Sequence, residues 1–315
     1  MISNLDPASA LFLADLGQIQ QRISTANNQV SSGKKITVAS DAPDQIAPLL
    51  QLRADQQHNS QIQSNLGLAQ SNADASDSAL SSAISLMDNA LTLASQGTDT
   101  TNTATSYQSL AQQVQSLQQQ MVNLSQTTVQ GKYIFSGDQD SSPSYALDLN
   151  ATDPNTGLPL NGVDQLLTDQ TATRQVEDPA GGSFSASLTA QQIFDDRNAD
   201  GTFASDNVFN ALNSLRLALV AGDPTQIGNT IASIQAASDH LNSMESFYGN
   251  VQDRIQNATD YAAGYDTSLQ TQISQIQDAD VASAAMELTQ SNTQLQAALQ
   301  MQAQMPRTTL FDLLG

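Results

Sequence analysis

The chain contains no cysteine and no tryptophan, and only 4% of its residues are aromatic. Without thiols it can have no disulfide framework, thiolate zinc site, iron–sulfur cluster or cysteine nucleophile. Charge is scarce as well: Asp, Glu, Lys and Arg make up 13% of the 315 residues, about half the usual quarter. Cations are the scarcer sign, with 10 Lys and Arg against 31 Asp and Glu, a net charge of −21. That balance repels phosphate backbones and anionic lipid headgroups, so neither nucleic acid nor a membrane surface is an expected partner. No apolar run approaches the ~18 residues of a membrane span, and no basic stretch leads into an apolar one at the N-terminus. The expectation is no transmembrane helix and no cleaved secretory signal.

The usual materials of an active site are equally thin. The two histidines, His58 and His240, stand far apart in sequence, which leaves no Ser/His/Asp relay and no paired-histidine zinc motif. No glycine-rich phosphate loop occurs, and Asp195-Asp196 are adjacent rather than placed to face each other across a cleft. The sequence predicts no enzyme and no cofactor. One segment has a metal-like pattern: Asp196, Asn198 and Asp200 alternate ahead of Gly201, as in the first half of a calcium loop. The twelfth position is Asn207 rather than a bidentate Glu, so the same residues also read as a plain turn leading to a helix cap at Ser205 or Asp206.

What the chain has in abundance is Gln, Asn, Ser and Thr around apolar residues spaced by three and four, the signature of one stripe on a helix. A first stripe runs from Phe12 through Leu16, Ile19, Ile23, Ala26 and Val30 to a stop at Gly33. A second helix, after Pro43, carries Ile62, Leu66, Ala69, Ala73, Leu80, Ala83 and Met87; unbroken from Asp44 to Ser95 it would be about 78 Å long. Tyr107, Leu110, Val114, Leu117, Met121 and Leu124 form a third stripe, and Lys132–Phe135 reads as a short strand between Gly131 and Gly137. From Asp138 to about Asp206 turn residues recur at short intervals, with candidate strands at 174–176 and 183–188, or else a weakly ordered loop region, and a helical turn at 191–194. Helix resumes at Val208, restarts after Pro224, and ends with the stripe Val281, Ala285, Leu288, Asn292, Leu295, Leu299 before Met305-Pro306.

The expected fold is mainly α with a β-rich insertion: an elongated antiparallel helical rod or coiled-coil bundle built from both chain ends. The expected division is an N-terminal assembly helix and turn (1–43), a long helical hairpin (44–137), the insertion (138–206), returning helices (207–275) and a C-terminal assembly helix (276–315). The two terminal stripes are narrow and polar-flanked, and isolated helices of that kind are marginal in water. They either seal each other within the chain or pack when neighbouring subunits stack around them.

The two ends also carry recognisable motifs. Gln29-Val30-Ser31-Ser32-Gly33-Lys34-Lys35-Ile36 followed by Ser40-Asp41-Ala42-Pro43, together with Ile276-Gln277-Asp278-Ala279-Asp280-Val281-Ala282, Glu287-Leu288-Thr289, Leu295–Leu299 and Leu310–Gly315, resembles the bacterial flagellin superfamily. Within it, Gly131-Lys132-Tyr133-Ile134-Phe135-Ser136-Gly137 is more similar to the hook–filament junction branch than to flagellin proper, and Leu86–Leu93 lacks the arginines that flagellins carry there.

The resemblance implies a non-enzymatic structural component of the flagellum, an adaptor where hook meets filament. It further implies an uncleaved export signal read by a type III apparatus, a secretion chaperone on the C-terminal helix, and assembly outside the cell into a ring of copies of the chain. That ring would touch flagellin on one side and the other hook-associated junction protein on the other. The expected interface is Leu16, Ile19, Ile23 and Val30 with Val281, Leu288, Leu295, Leu299, Leu310 and Phe311. A flagellin forming the filament itself is the first alternative. A calcium- or carbohydrate-binding surface module resting on the insertion is an alternative of another class.

Overall fold

A computed structural model describes residues 7–152, 160–167 and 174–304. Among the described residues, seven helices and six short strands follow one another as α1 (Pro7–Ser32), α2 (Pro43–Gly97), α3 (Ala104–Ser125), β1 (Thr128–Val129), β2 (Lys132–Tyr133), β3 (Tyr145–Leu147), β4 (Val163–Gln165), β5 (Gln175–Glu177), β6 (Ser183–Ser185), α4 (Ala190–Phe194), α5 (Val208–Ala221), α6 (Pro224–Gln277) and α7 (Val281–Gln304). The mainly helical expectation with a β-rich insertion holds, and no described helix is long and apolar enough to cross a membrane. The chain divides into two compact units: residues 59–264, and the described residues up to 58 with those from 265 onward.

The core of the 59–264 unit follows the stripes. Leu66, Ala73, Leu80 and Met87 of α2, Val114 and Met121 of α3, Leu212 and Leu215 of α5, and Ile227, Leu241 and Tyr248 of α6 all lie in one buried cluster. Helix α3 packs on α5. Its N-terminus is capped by Thr103, whose hydroxyl accepts from the Ser106 N–H at 3.2 Å, and α5 ends at Gly222 in the left-handed conformation.

Among the described residues the strands form three separate two-stranded antiparallel ladders: β1–β2 just before the insertion, and β3–β4 and β5–β6 within it. The β1–β2 turn places Gln130 and Gly131 both at positive φ, 51° and 77°, the geometry of a type I′ hairpin. The sequence reading therefore missed β1, because Gln-Gly is not the Asn-Gly or Asp-Gly that marks such turns. It also extended β2 too far: Ile134 and Phe135 leave the strand to become buried core residues. The hairpin β3–β4 had no strand signal of its own.

Scarce aromatics are concentrated where the insertion meets the helices. Phe194 lies 5.8 Å from both Phe135 and Phe209, and Tyr145 lies 5.2 Å from Phe209. Beneath them the fully buried Asp195 carboxylate accepts from Tyr145 Oη (3.1 Å), Asn161 Nδ2 (2.7 Å), Asn207 Nδ2 (2.8 Å) and both Nε and Nη2 of Arg197 (3.0 and 2.7 Å). Burial, and then the Asp195 charge, push the Tyr145 hydroxyl well above its usual range, so it stays a donor. One carboxylate thus joins β3, the loop before β4, the segment after α4 and the cap of α5. Asp195→Ala would strand those donors, and breaking a buried charged network of this kind costs about 3–5 kcal/mol. Chemical denaturation of the full chain should show that loss in the main unfolding transition, whereas a change below about 1 kcal/mol would mean the network adds little.

Candidate assembly site at the paired chain ends

Helix α1 ends because Gly33 turns left-handed at φ 69°, its N–H still bonded to the Gln29 carbonyl at 2.9 Å. The residues that follow lock onto the junction between α6 and α7. The N–H groups of Lys35 and Ile36 donate to the Gln277 carbonyl at 2.8 and 3.4 Å, and the Ala279 N–H donates to the Gly33 carbonyl at 2.9 Å. Gln277 Nε2 donates to the Ile36 carbonyl at 3.4 Å, and Lys35 Nζ to the Gln275 carbonyl at 3.2 Å. Ile36 and Gln277 are buried between these bonds. Most of this clasp is main chain, so it fixes position whatever the surrounding side chains do.

A carboxylate organises each side of the clasp. Asp41 Oδ2 accepts from the N–H groups of Thr37 and Val38 and from the Thr37 hydroxyl, at 2.8–3.0 Å. Asp280 caps α7, its Oδ1 accepting from the N–H groups of Ala282 and Ser283 and its Oδ2 from the Ser283 hydroxyl. These bonds hold both carboxyls below the ordinary carboxylate range: Asp41 chiefly through the Val38 N–H, Asp280 chiefly through the Ser283 N–H.

Because α1 enters the clasp by its C-terminus and α7 leaves it by its N-terminus, the two helices pack antiparallel. Their seam has a spacing of seven: Ile19 and Ala26 on α1 against Ala284, Ser291 and Ala298 on α7, all buried. Leu16, Ile23, Val30, Leu288 and Leu295 are half-buried on its flanks, whereas Val281 and Leu299 are 45% and 49% exposed. The stripe drawn from the sequence on α7 is Val281, Ala285, Leu288, Asn292, Leu295 and Leu299; the buried seam within the pair runs one position off it, through the small Ala284, Ser291 and Ala298, and leaves the larger residues beside or outside it. Leu310 and Phe311 lie outside the described residues. Arg22 and Glu287 pair across the helices at 3.9 Å, both about half exposed, a contact worth little.

The metal-like segment in the other unit forms a tight turn. Asn198 Nδ2 donates to Thr202 Oγ1 at 2.9 Å, and Asp200 Oδ1 accepts from the Thr202 N–H and hydroxyl at 3.0 and 2.6 Å. Asn207 is occupied twice, donating to Asp195 and capping α5 through its Oδ1. Asp196 contributes its carbonyl, at 2.9 Å, to the Asn207 amide. Among the described residues no group of three or more His, Asp or Glu is placed to hold a metal ion. The His240 side chain is mostly covered, with Nε2 2.9 Å from the Gln192 carbonyl and Nδ1 3.4 Å from Asp206.

Helices from both ends paired across a Gly-Lys-Lys-Ile clasp are where family models match: the bacterial flagellin N-terminal helical region over residues 2–140, and the C-terminal helical region over residues 231–314. The chain belongs to the bacterial flagellin family. Solved structures of similar fold include a candidate flagellar hook-associated protein of Vibrio parahaemolyticus, with 14% identity, 76% of this chain and 100% of that one covered, and a TM-score of 0.61. FlgL of Bacillus cereus shares 14% identity over 72% of this chain and 100% of its own (TM-score 0.54), and the flagellar junction protein FlgL of Legionella pneumophila 13% over 71% and 98% (TM-score 0.51). At such identities the likeness establishes the fold. No curated protein sequence matches the chain significantly.

The lowered carboxyls of Asp41 and Asp280 give this flagellin-family clasp a defined acid limit. A carboxyl that is more acidic folded than unfolded adds stability fully present above its unfolded value, about 3.9 for Asp, and lost as pH falls through the lower folded one. Amide protection at residues 33–41 and 280–284 should therefore be constant above about pH 5 and fall below about pH 4. Asp280→Asn should flatten the response on the α7 side; an unchanged acid response in that variant would contradict the assignment.

Proposed function

We propose that the chain is a structural component of the bacterial flagellum, the adaptor between hook and filament, assembled by packing of its α1–α7 pair against neighbouring subunits. The carrying observation is that this pair buries a narrow seam and leaves Leu11, Leu13, Val281, Met286, Leu299 and Met301 exposed on its outside. A soluble subunit has no use for two helices so sparsely covered, whereas a wall of stacked subunits would cover them. Family membership and likeness in fold to hook-associated and junction proteins support the same reading.

On this reading the copies form a ring that meets the other hook-associated junction protein on one side and flagellin on the other. The chain reaches that place by type III export, with a secretion chaperone on its C-terminal helix, and the assembled protein belongs to the extracellular flagellum. A chain without cysteine refolds at the growing end with no disulfide to form.

Immunogold labelling of intact cells with antibody against residues 138–206 should mark a single spot where hook meets filament. Label along the whole filament would make the chain a filament flagellin, and no label on flagella would remove the proposal. Separately, Leu295→Asp places a charge on the flank of the seam, where burial without a partner costs several kcal/mol. That variant should keep the 59–264 unit folded yet fail to restore filaments in cells lacking the protein.

A further inference from the structure

With neither cysteine nor tryptophan in the chain, the methionine thioether is the side chain most open to oxidation. The described methionines fall into two groups. Met87 and Met121 have no exposed surface and lie in the core of the 59–264 unit, with Met244 packed against it. Met286 and Met301 are 66% and 61% exposed, and both stand on α7 outside the seam made by Ala284, Ser291 and Ala298. Among the described residues, neither Met286 nor Met301 belongs to the buried seam of the α1–α7 pair. An unbranched, polarizable thioether does suit a surface that must pack against neighbours of differing shape.

We propose that Met286 and Met301 are an oxidation-sensitive pair through which peroxide controls incorporation of the free subunit; this rests on the assembly role given above to α7. Hydrogen peroxide transfers one oxygen atom to the thioether sulfur. The O–O bond breaks, an S–O bond forms, the sulfur is oxidised by two electrons and the peroxide leaves as water. The sulfoxide is a strongly dipolar acceptor where an apolar group stood. In the free subunit it faces water and costs little, but in a helix-to-helix contact it would be buried without a donor. Oxidation before assembly therefore blocks packing, and a subunit already packed is shielded from the oxidant.

The test uses the full chain, timed exposure to hydrogen peroxide and peptide mass spectrometry. Met286 and Met301 should oxidise about tenfold faster than Met87 and Met121. Treated protein should keep its helical circular-dichroism signal but lose most of its binding to purified hooks. The double variant Met286→Leu, Met301→Leu should bind hooks equally before and after peroxide treatment, whatever its binding relative to the native chain. Equal oxidation rates at the four sites, undiminished binding after treatment, or the same loss in the double variant would each overturn the proposal. Failure of the untreated chain to bind hooks is a separate outcome: it would overturn the junction reading and this inference with it.

Discussion

Antiparallel pairing of α1 with α7 depends on a short main-chain clasp, because the seam itself is too thin to hold two helices together in water. Ile19 and Ala26 on one side and Ala284, Ser291 and Ala298 on the other provide little apolar surface, three of the five being alanine and one a serine. Hydrophobic stabilisation scales with the area covered, so a seam of small side chains contributes little and the nucleation cost of each helix remains. The bonds from Lys35 and Ile36 to Gln277 and from Ala279 to Gly33 solve a different problem, that of register. They set which residue of α1 faces which residue of α7 before any neighbour arrives.

The 59–264 unit is held in the opposite way. Its helices bury long apolar side chains along their length, and the insertion is anchored by clustered aromatics above a single saturated carboxylate. Buried polar networks of this kind tend to fix one arrangement rather than several. The chain thus joins a part with a continuous buried core to a part whose seam leaves large apolar residues exposed. That division suits the assembly role proposed above, in which the exposed residues of α1 and α7 are left available for neighbours.

Much of this was legible in the sequence because helix periodicity is a local signal. The stripe of α3 from Tyr107 to Leu124, the stop at Gly33 and the start after Pro43 all survive in the structure, since three-and-four spacing and Gly or Pro punctuation act over a few residues. The strands fared worse, because two- and three-residue ladders such as β1–β2 and β3–β4 leave almost no periodicity to read. At the site, periodicity singles out Val281 and Leu299 for an assembly interface because they are large and apolar, but it does not reveal that the seam within the chain is made by the small Ala284, Ser291 and Ala298. The Asp195 network was hidden for a further reason: two of its donors, Asn161 and Tyr145, stand 34 and 50 residues from it, and no spacing rule anticipates them.

The α1–α7 pair is held in register by its clasp but, on the assembly reading, is fully protected only when neighbours cover it, whereas the core of the 59–264 unit is buried within the chain. Amide hydrogen exchange, measured on the free subunit and on isolated flagella, tests it directly. The account predicts that α1 and α7 exchange quickly in the free subunit and slowly once assembled, while the amides of α3 and α5 are slow in both. Equal and strong protection of α1 and α7 in the two states would contradict it, because the pair would then be stable without any neighbour.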